Sequence, residues 1–137
     1  MVFLTAVTRD RKPVLANREA FDCLTTIWQC SAEIDGWFVG DYLLMPDHVH
    51  FFARAAIDGK PLAQWIETWK SLSARRLKAA GKIIAPLWQR DYFDRFLRST
   101  ESYAEKWDYV ANNPVRAGFC GTPTEWPWRG RLHDLRF

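Results

Sequence analysis

Two stretches of the chain carry side chains suited to metal-ion and nucleophilic chemistry. The first is His48-Val49-His50. In an extended segment these two imidazoles point to the same face, about 7 Å apart, and can converge on one divalent ion. They follow the turn Met45-Pro46-Asp47, where such an ion would stay accessible. Two polar residues on a solvated strand face would give the same pattern. Asp47, one position earlier, is expected to point to the opposite face and reads as a turn residue.

The second stretch surrounds Tyr109. On a helix, Tyr103, Trp107, Val110 and Ala111 share one face, whereas Tyr109 lies roughly 140° away among Glu105, Lys106, Asn112 and Asn113. Core packing does not place an aromatic ring there. Asn113 follows one turn later on the same side, so a hydroxyl and an amide share one surface. A phenol with its ordinary pKa of about 10 is a poor nucleophile at neutral pH, and the charge of Lys106 would favour the phenolate. A tyrosine at a helix rim with its hydroxyl in water is the competing reading.

The elements that must position these groups follow from pattern. Val2–Thr8 is rich in β-formers and ends in the charged turn Arg9–Lys12, which predicts a strand. Asn17 is a helix N-cap, with Phe21, Leu24, Ile27, Trp28 and Ile34 on one stripe and Asp35-Gly36 as the stop. Residues 37–44 and 48–54 predict two strands, antiparallel because so few residues join them. Asp58–Pro61 opens a second helix with Leu62, Trp65, Ile66, Trp69, Leu72 and Arg76 on one stripe, Lys70, Arg75 and Lys78 off it, and Gly81 as terminator. Residues 87–98 read as extended. Ser99 or Thr100 caps a third helix that should end at Asn113-Pro114, and the tail from Val115 reads as loop. The order β-α-β-β-α-β-α predicts an α+β, two-layer ferredoxin-like sandwich with a mostly antiparallel sheet and the helices on one side, formed by a single domain over 1–137.

Composition narrows the class. With 48% hydrophobic and 26% charged residues the chain is neither disordered nor fibrous. Its apolar runs are too short to span a bilayer, and charges in residues 1–20 exclude a signal peptide, so a cytoplasmic protein is expected. Cys23, Cys30 and Cys120 match no metal motif and are expected to be free, mostly buried thiols. The net charge of +3 is unevenly spread. Residues 1–59 hold five Lys/Arg against eight Asp/Glu, and residues 60–137 hold fourteen against eight. A basic C-terminal half suits a polyanion-binding surface, though solvated helix faces would also produce it.

Leu44-Met45-Pro46-Asp47-His48-Val49-His50-Phe51-Phe52 resembles the HUH motif (histidine, hydrophobic, histidine) of single-tyrosine transposases. The run Asp108–Gly118 resembles the tyrosine-helix signature of their REP-associated branch, and Leu87–Arg98 and Glu125-Trp126-Pro127-Trp128 are similar to that branch as well. The resemblance spans nearly the whole chain. It implies that His48 and His50 bind Mg²⁺ or Mn²⁺ with Asn113 as third ligand. Tyr109 would attack single-stranded DNA to give a 5′-phosphotyrosine link and a free 3′-hydroxyl. Lys106, from its position alone, is the candidate activating neighbour of that tyrosine.

The implied partner is hairpin-forming DNA with a single-stranded flank, in the bacterial cytoplasm and associated with the nucleoid. Lys70, Arg75, Arg76, Lys78, Arg90, Arg95, Arg98 and Arg116 are the candidate phosphate contacts. Any longer C-terminal tail of the family is expected to be absent or reduced. A monomer and a homodimer remain open. The alternative is a catalytically idle domain that recognises folded DNA or RNA; a phosphoesterase in which water attacks is a third, more remote option.

Overall fold

The structure, a computed structural model, describes residues 1–84 and 86–135. Its elements run β1 (Val2–Val7), α1 (Arg18–Ile34), β2 (Trp37–Leu44), β3 (His48–Ala55), α2 (Leu62–Ala79), β4 (Phe93–Phe96), α3 (Thr100–Ala111), α4 (Asn113–Arg116) and β5 (Arg129–Arg131). They form an α+β fold around an antiparallel five-stranded sheet in the order β4-β1-β3-β2-β5. The histidine strand β3 is the middle strand. No helix among the described residues is long and apolar enough to cross a membrane.

Alternation assigns the two faces of the sheet. Val2, Leu4, Val49, Phe51 and Ala53 face α1 and α2 and form the larger core with Leu24, Trp28, Trp65 and Trp69. The rings interlock: Trp28 packs on Phe51 at 4.7 Å between centroids, and Trp37 stacks on Trp65 at the same separation. Two of the indole nitrogens buried there are paired, Trp65 Nε1 donating to Ser31 and Trp88 Nε1 to Ser73 at 2.9 Å each, whereas Trp28 Nε1 and Trp69 Nε1 have no hydrogen-bond partner among the described residues.

Between Val39 and Tyr42 the register of β2 on β3 slips by one residue, a β-bulge at Gly40-Asp41. It switches the inward-facing positions from odd (Trp37, Val39) to even (Tyr42, Leu44), so all four reach the same core. Gly40 leaves room at this bulge for the ends of two side chains. A Cβ there would lie 2.7 Å from Leu135 Cδ1 and 3.1 Å from the Tyr103 hydroxyl.

Phe3, Leu43 and Phe52 lie on the opposite face with Val110, and Tyr103 and Trp107 pack against them. Helix α3 therefore covers this second face, where the sequence predicted all helices on one side. The apolar alternate positions of β1 and β3 would otherwise be left in water.

Helix α1 starts at Asn17, whose side chain accepts from the Ala20 amide at 2.9 Å, and stops before Gly36 at φ +72°. Its predicted stripe fails at Ile34, which is 68% exposed in the last turn. On α2 the buried face is Trp65, Ile66, Trp69, Lys70, Ser73 and Leu77, which leaves Arg76 exposed and Lys70 inside, the reverse of the expectation. Proline does not end the helical path at Asn113-Pro114. Helix α3 ends at Ala111, and Pro114 sits in the first turn of α4, where its missing N–H costs nothing. The tail is not all loop either, because β5 pairs with β2 and Trp126 Nε1 donates to the Leu44 carbonyl at 2.8 Å. The cysteines are free as expected, but Cys30 is exposed and Cys23 and Cys120 only half-buried.

Candidate active site

His48 and His50 open β3 on the face that α3 covers, with Val49 and Phe51 turned into the larger core. Their rings lie 4.7 Å apart and nearly perpendicular. Each uses its Nδ1 on a neighbour: His48 meets Asp47 Oδ1 at 2.7 Å, and His50 meets Thr5 Oγ1 at 2.8 Å from the adjacent strand. Thr5 stands directly opposite His50 in the β1–β3 register. The two Nε2 atoms face the Asn113 amide, which is 3.2 Å from His48 and 3.4 Å from His50. Strand and helix thus bring together the three residues named from sequence.

Burial, then the charges of His48, Lys106 and Arg116, push the His50 pKa down to about 3. The ring is therefore neutral at physiological pH. Asp47 is half-buried, which raises its pKa, but the hydrogen bond and charge of His48 together with Arg11 bring the carboxyl below its ordinary value.

Two imidazole nitrogens and a carboxamide fit a divalent ion. Donors bound side by side to one ion at roughly 2.1 Å lie about 3 Å apart, close to the spacing around Asn113. The amide oxygen and nitrogen exchange places by a half-turn, so the same position offers an oxygen ligand. Among the described residues no cluster of three or more His, Cys, Asp or Glu exists, so this set depends on the carboxamide. A mixed nitrogen and oxygen set suits Mg²⁺ or Mn²⁺, and imidazole favours Mn²⁺.

Tyr109 is 62% exposed, while Val110 and Ala111 beside it are buried. It therefore occupies the polar face read from the helical wheel. The Arg116 guanidinium lies 4.0 Å from its ring centroid and the Lys106 ammonium 5.8 Å, with Lys106 nearer the Phe3 ring at 4.7 Å. Arg116 is thus the closer cation. These two charges also act on His50. A cleft of about 500 Å³ beside Tyr109 is lined by Arg95, Arg98 and Lys106, among others.

The other basic candidates are more scattered. Arg75 and Arg90 border a separate cleft of about 910 Å³ beside α2, and Arg76 and Lys78 are exposed on that helix. Lys70 is not a phosphate contact: it is 9% exposed, and its ammonium donates to the Gln89 and Asp91 carbonyls at 2.9 Å each. Its role is to tie the segment before β4 to α2.

Sequence reasoning missed Thr5 and Arg11, and it read Asp47 as a turn residue without foreseeing its contact with His48. Alternation places Asp47 on the wrong face only if the strand begins before it. It sits in the turn, where its carboxylate is free to swing back to His48. Thr5 was legible only with the strand register in hand.

Two kinds of similarity bear on this site. In sequence, a REP-associated tyrosine transposase of Escherichia coli (strain K12) is 24% identical over 103 residues, which cover 75% of this chain and 56% of that protein. The chain spans a little over half the length of the curated relatives it matches. In structure, the REP-associated tyrosine transposase bound to a REP hairpin superposes with a TM-score of 0.78 at 20% identity, covering 93% of this chain and 74% of that one. A candidate transposase of Deinococcus radiodurans superposes with a TM-score of 0.59 at 26% identity, covering 81% and 88%. Residues 1–113, which include both histidines, Tyr109 and Asn113, match the family described as Transposase IS200 like, and the chain belongs to that family.

Proposed function

We propose that the chain cuts and rejoins single-stranded DNA beside a hairpin, through a covalent link to Tyr109. The observation that carries this reading is the convergence of His48 Nε2, His50 Nε2 and the Asn113 amide, one helical turn beyond an exposed tyrosine. The hairpin substrate is suggested by the related structure that holds one. In the reaction the Tyr109 hydroxyl attacks the phosphorus. An oxygen–phosphorus bond to tyrosine forms, the bond to the 3′ oxygen breaks, and the phenol gives up its proton while the departing oxygen gains one. The covalent link conserves the energy of the broken phosphodiester, so resealing needs no nucleotide cofactor.

A divalent ion, when bound, would withdraw electron density from the scissile phosphate and stabilise charge on its non-bridging oxygens. His48, His50 and Asn113 would hold that ion. Arg116 and Lys106, beside the tyrosine ring, draw the polyanion toward it, and Arg95 and Arg98 carry the attraction along the adjoining cleft.

Incubation with Mn²⁺ and a hairpin oligonucleotide carrying a single-stranded flank should give a protein–DNA adduct that survives denaturation. Tyr109→Phe should abolish it, and Tyr103→Phe should retain it. The opposite result would move the nucleophile to Tyr103. Salt-sensitive hairpin binding with no adduct under any metal would favour an idle binding domain instead.

A further inference from the structure

The carboxylate of Asp47 is engaged through both oxygens. Oδ1 meets His48 Nδ1 at 2.7 Å and Oδ2 accepts from Arg11 Nε at 2.9 Å. The Asp47 carbonyl is held as well, accepting from the Thr8 amide at 2.9 Å and the Thr8 hydroxyl at 3.1 Å. Arg11 comes from a turn in which Asp10 and Arg11 adopt φ of +56° and +51°, a left-handed conformation that is unfavourable for a residue with a side chain. Core packing does not demand that strain, since Arg11 is exposed. It aims a guanidinium at Asp47.

An imidazole that ligates a metal ion is neutral and carries one N–H. A carboxylate against Nδ1 selects that nitrogen for the proton, because a lone pair facing a negative oxygen would be repelled. Nε2 then keeps its lone pair and directs it at Asn113. His50 has only the Thr5 hydroxyl behind it, which can donate or accept and so selects neither tautomer. The two rings are therefore not equivalent.

We propose that Asp47 is a positioning residue that fixes the Nδ1–H tautomer of His48, with Arg11 holding the carboxylate in place, so that His48 is the pre-set member of the ligand pair. This rests on reading His48, His50 and Asn113 as a divalent-ion site. Ordering of a ligand by a hydrogen-bonded carboxylate is worth about 10–100-fold in metal affinity where it has been removed.

The test uses the full chain, with Mn²⁺ affinity read by electron paramagnetic resonance and the His48 tautomer read by long-range ¹H–¹⁵N correlation in the metal-free protein. In the unsubstituted protein the His48 proton should lie on Nδ1. Asp47→Ala should lower Mn²⁺ affinity about 10–100-fold. Asp47→Asn, which keeps an acceptor oxygen, should recover part of the loss, and Arg11→Ala should cost less than Asp47→Ala. A proton found on Nε2 overturns the proposal without any substitution. So does Asp47→Ala binding within about twofold of the unsubstituted protein while His48→Ala abolishes binding. Mn²⁺ binding indifferent to His48→Ala removes the ion site itself, and the role of Asp47 with it.

Discussion

The strand that carries the histidines and the helix that carries the tyrosine are held in different ways. Strand β3 lies in the middle of the sheet, pairs with a strand on each side, and has both imidazole Nδ1 atoms engaged by neighbours. Helix α3 lies on the surface of the sheet, attached through Val110, the Tyr103 ring stacked on Phe52 at 4.0 Å, and the Tyr103 hydroxyl on Asp41, while Tyr109 itself is exposed. The difference matches two physical demands. Ligand atoms must keep their spacing to within a few tenths of an ångström. On the proposed reaction, a nucleophile that becomes covalently loaded with a DNA strand would instead have to stay open to solvent and tolerate small movements of its support. Asn113, just past the end of α3, is where the two requirements meet.

The largest effect should come from the buried side of this pair. An unfolded chain protonates His50 near its ordinary pKa of 6.5, whereas the folded protein resists until about 3. The unfolded state thus binds more protons between those values, and the contribution of His50 to stability, complete above pH 6.5, is lost as pH falls toward 3. At 1.36 kcal/mol per unit the ceiling is about 5 kcal/mol, of which about 2 kcal/mol is gone at pH 5. Urea unfolding of the metal-free protein at pH 7.5 and pH 5.0 measures this against His50→Gln, which should lose less. Equal losses in the two proteins would mean that the strand side does not hold its ring neutral.

A middle-sized effect is expected on the helix side. Asp41 is buried in the bulge of β2, accepts from the Tyr103 hydroxyl, and is gripped by Arg131 at 3.2 and 3.3 Å from β5. Burial and then Asp41 raise the Tyr103 pKa, so the phenol stays a proton donor. Tyr103→Phe keeps the stack on Phe52 but removes a hydrogen bond to a charged acceptor, at a cost of about 1.5–3 kcal/mol in urea unfolding. The adduct should still form, more slowly, with Mn²⁺ affinity unchanged. A parallel fall in Mn²⁺ affinity would show that strand and helix are not held independently.

How much of this was legible depended on whether a feature is local. The strand alternation that pairs His48 with His50, the Asn17 cap and the polar-face position of Tyr109 are set by residues a few positions apart, and each was readable. The tyrosine-to-Asn113 spacing survived because Asn112 keeps helical angles (φ −85°, ψ −2°) between α3 and α4. What escaped reading depends on distant segments meeting. Strand β5 pairs with β2 across some ninety positions, Thr5 reaches His50 from another strand, and the bulge at Gly40 was invisible without its partner strand. Lys70 was misread for the same reason, since the carbonyls that bury its charge belong to a segment nineteen to twenty-one residues later.

That misreading sets up the smallest and most discriminating effect. Arg98 lines the cleft beside Tyr109 and is exposed, whereas Lys70 carries the same formal charge but has its ammonium committed to two carbonyls. Only the first can release a counterion on meeting a phosphate. Arg98→Ala should therefore weaken hairpin-oligonucleotide binding and reduce the slope of log affinity against log salt by about 0.7–1. Lys70→Met should leave that slope unchanged while lowering stability, because the Gln89 and Asp91 carbonyls lose the donor that ties their segment to α2. Binding isotherms at several salt concentrations separate the two. A reduced slope for Lys70→Met would mean that its ammonium leaves the carbonyls for the DNA, and a flat response to Arg98→Ala would place the strand outside the tyrosine cleft.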